Sequence, residues 1–283
     1  MRSYYEFRIK EKYASMLFAD DEGERLGTSV RKIVLRGDDP RLPEVNRLDR
    51  ELKQGQNKPR YFYAGWSIQY KYTHREIEAA EAFKLKVTSV FEPAGEERGT
   101  EYDESRACPA CGTGAPQVTP LRLPAGRIPK TKDFSRTIAD EVVVSQRVKD
   151  AFEECGVSGA NFATVVSTSR SKGFVEGRYQ FEATEAAAEV APPTVSGNKP
   201  SDLDTEGEYR CARCDLLGLN LLSELSVARA SVLDLDVQAT RAYVGLRSGL
   251  LRPRQVVLVS PKVYRLAKEM KLKGVAFEIA YLV

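Results

Sequence analysis

Val142-Val-Val-Ser-Gln-Arg-Val-Lys-Asp-Ala-Phe-Glu-Glu-Cys-Gly-Val-Ser-Gly-Ala-Asn-Phe162 lies without a gap over Val257-Leu-Val-Ser-Pro-Lys-Val-Tyr-Arg-Leu-Ala-Lys-Glu-Met-Lys-Leu-Lys-Gly-Val-Ala-Phe277, at a constant offset of 115 positions. Self-similarity at a fixed offset is the mark of a duplicated structural unit. Ser145 matches Ser260, Val148 matches Val263, Gly159 matches Gly274 and Phe162 matches Phe277. Each copy reads as strand, helix, strand: a β-branched run ends at a serine suited to cap a helix, and Pro261 takes a first helical position, where its missing N–H costs nothing. Apolar residues then recur at helical spacing, Val148, Ala151, Phe152 and Cys155 against Val263, Leu266, Ala267 and Met270, before glycine-containing turns start new strands at Phe162 and Phe277. Cys155, opposite Met270 on that stripe, is expected to be a small buried hydrophobe and not a nucleophile.

Each copy is preceded by a CxxC pair, Cys108-Pro-Ala-Cys111 before the first and Cys211-Ala-Arg-Cys214 before the second, with intervals to the repeat that differ by about a dozen residues. A CxxC turn aims two thiolates at one ion while backbone N–H groups stabilise the sulfurs, and two such turns complete a closed tetrahedral zinc site. Gly112-Thr113-Gly114 suits the tight turn that follows many such knuckles. Because the two pairs lie far apart in sequence, the site would be made by tertiary folding, as a clamp between the halves. A redox-active CxxC, a pair of disulfides and free structural thiols are the competing readings. With all four positions filled by Cys108, Cys111, Cys211 and Cys214, a zinc ion would be structural, since a catalytic zinc keeps a water ligand.

The first hundred residues read mostly as strands. Tyr5 to Ile9 alternates, Val30 to Leu35 is a short apolar-rich run, and Tyr61 to Tyr72 is aromatic-rich with a change of phase at Ala64-Gly65 that predicts a bulge or a bend. Phe83, Leu85 and Val87 alternate with Lys84, Lys86 and Thr88, as in a half-buried antiparallel strand. Thr73 to Glu81 reads either as a short helix opened by Thr73 or as a polar hairpin tip. The stretch from Glu182 to Glu208 is poor in large apolar residues and rich in Ala, Pro, Ser and acids, which predicts a mobile surface insertion. The expected protein is α+β, with mainly antiparallel sheets and two related strand-helix-strand units joined by a zinc-knuckle pair. Its parts are a β-rich N-terminal part over 1–106, the first knuckle and unit over 107–181, a flexible acidic linker over 182–208, and the second knuckle and unit over 209–283.

The 283 residues carry a net charge of +3, too little for a general polyanion binder. From Arg241 to Lys273, however, Arg241, Arg247, Arg252, Arg254, Lys262, Arg265, Lys268, Lys271 and Lys273 face only Glu269. Such a stretch reads as a solvated face, or as a patch for nucleic acid or an acidic protein. Lys130 to Asp133 and the aromatics of Tyr61 to Tyr72 read as sheet packing or as single-strand contacts. The chain shows no apolar run of signal-peptide or membrane-spanning length, so the cytoplasm is the expected location. His74 is the only histidine and lacks the neighbours of a metalloprotease helix or a nucleophilic pair. Asp234 and Asp236 would share a strand face, which is either solvated or the start of a carboxylate metal site. No phosphate-binding glycine motif is present.

The paired knuckles resemble the double-CXXCG family of bacteria, and the repeated Val-Ser-x-x-Val…Gly…Phe unit is similar to one in immunity proteins of polymorphic toxin systems. The likeness covers the knuckles and the two repeat copies. It departs where Cys214 is followed by Asp215 instead of glycine. The resemblance implies a non-enzymatic protein that binds and neutralises a protein toxin; a zinc-dependent nucleic-acid-binding or regulatory protein is the alternative.

Overall fold

The computed structural model describes residues 2–54, 63–169, 173–204 and 206–283. They fold as α+β, with sheets whose strand pairs are mainly antiparallel. The chain divides into two units, Met1–Ala79 with Asn198–Leu203, and Ala80–Gly197 with Asp204–Val283. The N-terminal boundary therefore falls near residue 79 and not at 106, for a reason that the strand pairing of the second unit makes clear.

In the first unit, β1 (Arg2–Lys10), α1 (Glu11–Ala14), β2 (Glu24–Leu26), β3 (Val30–Arg36), α2 (Leu42–Gln54), β4 (Tyr63–Lys71) and α3 (His74–Ala79) follow in order. The sheet order is β2-β3-β1-β4, antiparallel throughout. Alternation places Phe7, Ile9, Ile33 and Leu35 on one face, where Val45 and Leu48 of α2 cover them. Arg8 pairs with Gly65 but Ile9 with Tyr63, so of the bulge and the bend it is a bulge that falls at the change of phase. Tyr61 lies outside the described residues. Thr73 and Glu76 form a reciprocal capping box, with Thr73 N–H donating to Glu76 at 2.7 Å and Glu76 N–H to Thr73 at 3.3 Å, which makes the following segment a helix. Arg31 and Asp49 are both almost fully buried here, and both are partnered. Arg31 pairs with Glu11, and Asp49 of α2 pairs with Lys199 and accepts from Ser201 at 2.6 Å.

The second unit contains β5 (Ala82–Val87), β6 (Val90–Phe91), β7 (Arg122–Leu123), β8 (Phe134–Thr137), β9 (Val142–Ser145), α4 (Gln146–Glu154), β10 (Ala160–Ser167) and β11 (Gly173–Ala183). After them come β12 (Ser196–Lys199), which leads into the first unit, β13 (Asp202–Leu203), β14 (Leu216–Gly218), β15 (Asn220–Leu221), β16 (Leu225–Val227), β17 (Val237–Val244), β18 (Arg254–Val259), α5 (Pro261–Glu269) and β19 (Val275–Leu282). Two six-stranded sheets dominate, with orders β6-β8-β9-β11-β10-β7 and β14-β17-β18-β5-β19-β16. Position by position, parallel and antiparallel pairings are the same in both.

The sequence repeat is thus a repeat of whole sheets, and each repeat lends a strand to the other. β5 precedes the first knuckle yet lies between β18 and β19, while β11 precedes the second knuckle and lies between β9 and β10. The registers agree residue by residue: Phe83 faces Val259 and Ile279, as Tyr179 faces Val144 and Thr164. Each helix seals the borrowed strand. Phe152 of α4 meets Phe181 of β11 edge-on at 6.2 Å, and Tyr264 of α5 stacks on Phe83 of β5 at 4.3 Å. An aromatic buried this way contributes roughly 1.5–3 kcal/mol. Because β5 completes the second repeat's sheet, the first unit ends before it.

The segment over 182–208, expected as a flexible linker, is built into this fold over most of its described length. Ala188 bridges to Thr240 and is fully buried, Val190 bridges to Val227, and Ser196 and Gly197 pair with Leu221 and Asn220. Composition underestimated it because small side chains fit where backbone ladders bring strands close. Among the described residues no helix is long and apolar enough to cross a membrane.

Candidate metal centre

Both knuckles are held by the same backbone device. Cys108 N–H donates to Thr113 O at 2.8 Å, and Cys211 N–H donates to Leu216 O at 3.2 Å. Gly112 and Gly114 adopt φ of 70° and 84°, the left-handed turn expected after the first pair. Folding brings the two knuckles together, and the four Sγ atoms lie within 4.8 Å of one another. Counterparts face each other: Cys108 Sγ is 3.7 Å from Cys211 Sγ, and Cys111 Sγ is 3.4 Å from Cys214 Sγ. The site therefore sits where the two repeats meet, and each supplies the same two ligands.

The donor set fits a tetrahedral metal. Four thiolates at the Zn–S length would stand about 3.8 Å apart along each edge, close to the spacing of the facing pairs. Backbone groups prepare the sulfurs for that charge. Ala110 N–H, foremost, pulls the Cys108 thiol down to about 7, while burial, followed by hydrogen bonding to the neighbouring thiols, pushes Cys214 up to about 12. Arg213 N–H donates to Cys211 Sγ at 3.4 Å, and the Thr113 hydroxyl lies 3.1 Å from Cys111 Sγ. All four cysteines are half-buried and none is disulfide-bonded.

The fifth cysteine departs from expectation. Cys155 is exposed, because α4 ends at Glu154 and Cys155 caps it with φ −85° and ψ 1°, turned off the buried stripe of Val148, Ala151 and Phe152. Neither Ser145 nor Ser260 caps its helix through the side chain. Each hydroxyl instead donates to a carboxylate of its own repeat, Ser145 to Asp133 at 3.1 Å and Ser260 to Asp236 at 2.7 Å. Each carboxylate also accepts a backbone N–H from the opposite repeat, Lys273 N–H to Asp133 at 2.8 Å and Ser158 N–H to Asp236 at 3.1 Å. From the sequence, Asp133 reads only as part of the Lys130 to Asp133 stretch of candidate single-strand contacts. A signal for it was present, since Asp133 follows Cys108 at the same interval at which Asp236 follows Cys211.

The remaining expected sites disperse. Asp234 is exposed, and both it and Asp236 precede β17 instead of sharing its face. His74 lies on the surface of α3, 3.1 Å from Glu78. In the basic stretch, Arg241 faces Asp215, Arg247 faces Glu104, Arg252 faces Glu96 and Glu104, Arg254 faces Asp140 and Lys262 faces Asp236. Five of its nine cations are thereby neutralised within the molecule. The carbonyls of Lys130 and Lys132 are held by Arg178 at 3.0 and 2.9 Å, which ties that stretch to β11.

Fold and site together define an α+β protein with a four-cysteine cluster that could hold a metal ion. Compared with the known protein families and with curated proteins, the chain matches none.

Proposed function

We propose that this protein works by binding another protein, with one structural zinc ion held by Cys108, Cys111, Cys211 and Cys214. The observation that carries the metal is the set of four thiols within 4.8 Å, two from each repeat. An all-thiolate set favours zinc over the hard, oxygen-seeking cations. A binding role in place of catalysis is supported by the use of Asp236 as a structural acceptor and by the surface position of His74. The partner we infer is a bacterial protein toxin, neutralised by occlusion in the cytoplasm, on the resemblance of the knuckles and repeats to immunity proteins. Neutralisation of five cations in the basic stretch weighs against the nucleic-acid alternative.

Freshly purified protein should contain about one zinc per chain, and clearly less would overturn the metal reading. Co-expression with the toxin encoded beside it should rescue growth through a stable complex. Survival of cells lacking the protein, or no complex, would remove the immunity role. A salt-titrated shift assay tests the alternative, because phosphate contacts would make affinity fall steeply with salt.

A further inference from the structure

From the knuckles to β10 and β19 the two repeats keep step except for one insertion. Their offset is 103 positions at β8 and β17 but 115 at β9 and β18, so twelve additional residues lengthen β17 and β18 and enlarge the loop between them, which spans 245–253. The first repeat makes the same connection with a short turn over 138–141, so the sheet does not require them. The added arm folds back onto the first knuckle. Arg252 lies over the ring of Tyr102 at 3.8 Å and pairs with Glu96 at 2.9 Å and Glu104 at 2.8 Å. Arg247 pairs with Glu104 at 3.0 Å, and its stem rests on the knuckle turn so closely that a methyl group on Gly112 would stand 2.8 Å from its Cγ.

Among the described residues the second knuckle has no such cover. Asp215 takes the place of Gly112, and its partner Arg241 is 61% exposed, which makes that pair a weak restraint. From this asymmetry we propose that the arm between β17 and β18 is a latch on the first knuckle, with Arg247 as its positioning residue, that slows loss of metal from the shared site. For Cys108 and Cys111 to let go of an ion, their turn must move, and the Arg247 stem and its pair with Glu104 stand in the way. The proposal rests on the metal-binding reading and adds a claim about rate.

The test is zinc release from the full-length, zinc-loaded protein into excess chelator, followed with a metal-sensitive dye. Arg247→Ala should release zinc about five- to tenfold faster than the parent, whereas Arg241→Ala on the other knuckle should change the rate less than about twofold. Equal rates for the parent and Arg247→Ala, with circular dichroism unchanged, would overturn the latch. Should Arg247→Ala fail to fold, Glu104→Ala removes the acceptor from a more exposed position, and an unchanged rate there has the same force. A parent chain that loads no zinc would instead sink the metal reading.

Discussion

The thiol of Cys108 lies 3.7 Å from that of Cys211, the residue that holds the same place in the other repeat. A metal there joins two halves that are already interlocked, because β5, which precedes the first knuckle, is a central strand of the second repeat's sheet, and β11, which precedes the second knuckle, is a central strand of the first repeat's. The clamp is consequently an addition to the fold and not its only tie. Cys108→Ser and Cys211→Ser should each lose the bound metal and lower the thermal midpoint by about 5–10 °C, with far-UV circular dichroism retained. An unfolded spectrum at room temperature would show that the exchanged strands cannot hold the repeats alone.

Gly159 and Gly274 should be intolerant of any side chain, and to a similar degree. A methyl group on Gly159 would stand 2.0 Å from the carbonyl oxygen of Val237, and one on Gly274 would stand 2.0 Å from that of Phe134. Both also adopt positive φ, 78° and 87°. Relief would require moving one repeat off the other. Gly159→Ala or Gly274→Ala should each cost more than about 2 kcal/mol in denaturant unfolding. A cost near zero for either would contradict the close contact.

The strand-helix-strand copies were legible because core, turn and aromatic positions recur together between Val142 and Phe162 and again between Val257 and Phe277. The exchange of strands was not. Phe83, Lys84 and Leu85 correspond in register to Tyr179, Gln180 and Phe181, and no identity links them; alternation predicts a strand but not its partner. The cysteines were visible from spacing alone, whereas the exposure of Cys155 depended on where α4 stops, a matter of one residue.

The metal-free site should be chemically asymmetric. Cys108 is held at about 7 by the Ala110 N–H foremost, below the ordinary thiol value, and Cys214 is pushed to about 12 by burial. A pKa lowered on folding gives stability that is present above the ordinary thiol value and lost as pH falls through about 7. Near pH 7.5 Cys108 is largely thiolate and Cys214 is not. Limiting alkylation of the chelator-treated Cys155→Ser protein, read by peptide mass spectrometry, should therefore label Cys108 well before Cys214. The reverse order would mean that the backbone does not favour the Cys108 anion.

Asp236 reads from the sequence as part of a solvated face or a carboxylate metal site, and the structure uses it, with Asp133, to hold the repeats together. Burial opposes the charge of Asp236, but the Ser260 hydroxyl, the Ser158 N–H and Lys262 outweigh it and keep its pKa below the usual carboxylate range. That sign makes its contribution present above the ordinary carboxylate pKa and lost as pH falls through the lowered one. Asp236→Asn keeps the shape while weakening three charge-assisted contacts, and should cost about 1.5–3 kcal/mol at neutral pH. It should also flatten the acid limb of the stability curve. Zinc content should stay at the parent's level, since neither aspartate belongs to the four-cysteine cluster. Asp133→Asn should likewise lower stability at neutral pH and leave zinc content at the parent's level, because Asp133 accepts from Ser145 and from Lys273 N–H in the mirrored arrangement. If either substitution stripped the metal while stability held, these carboxylates would have to be ligands, and the cysteine cluster would not be the whole of the site.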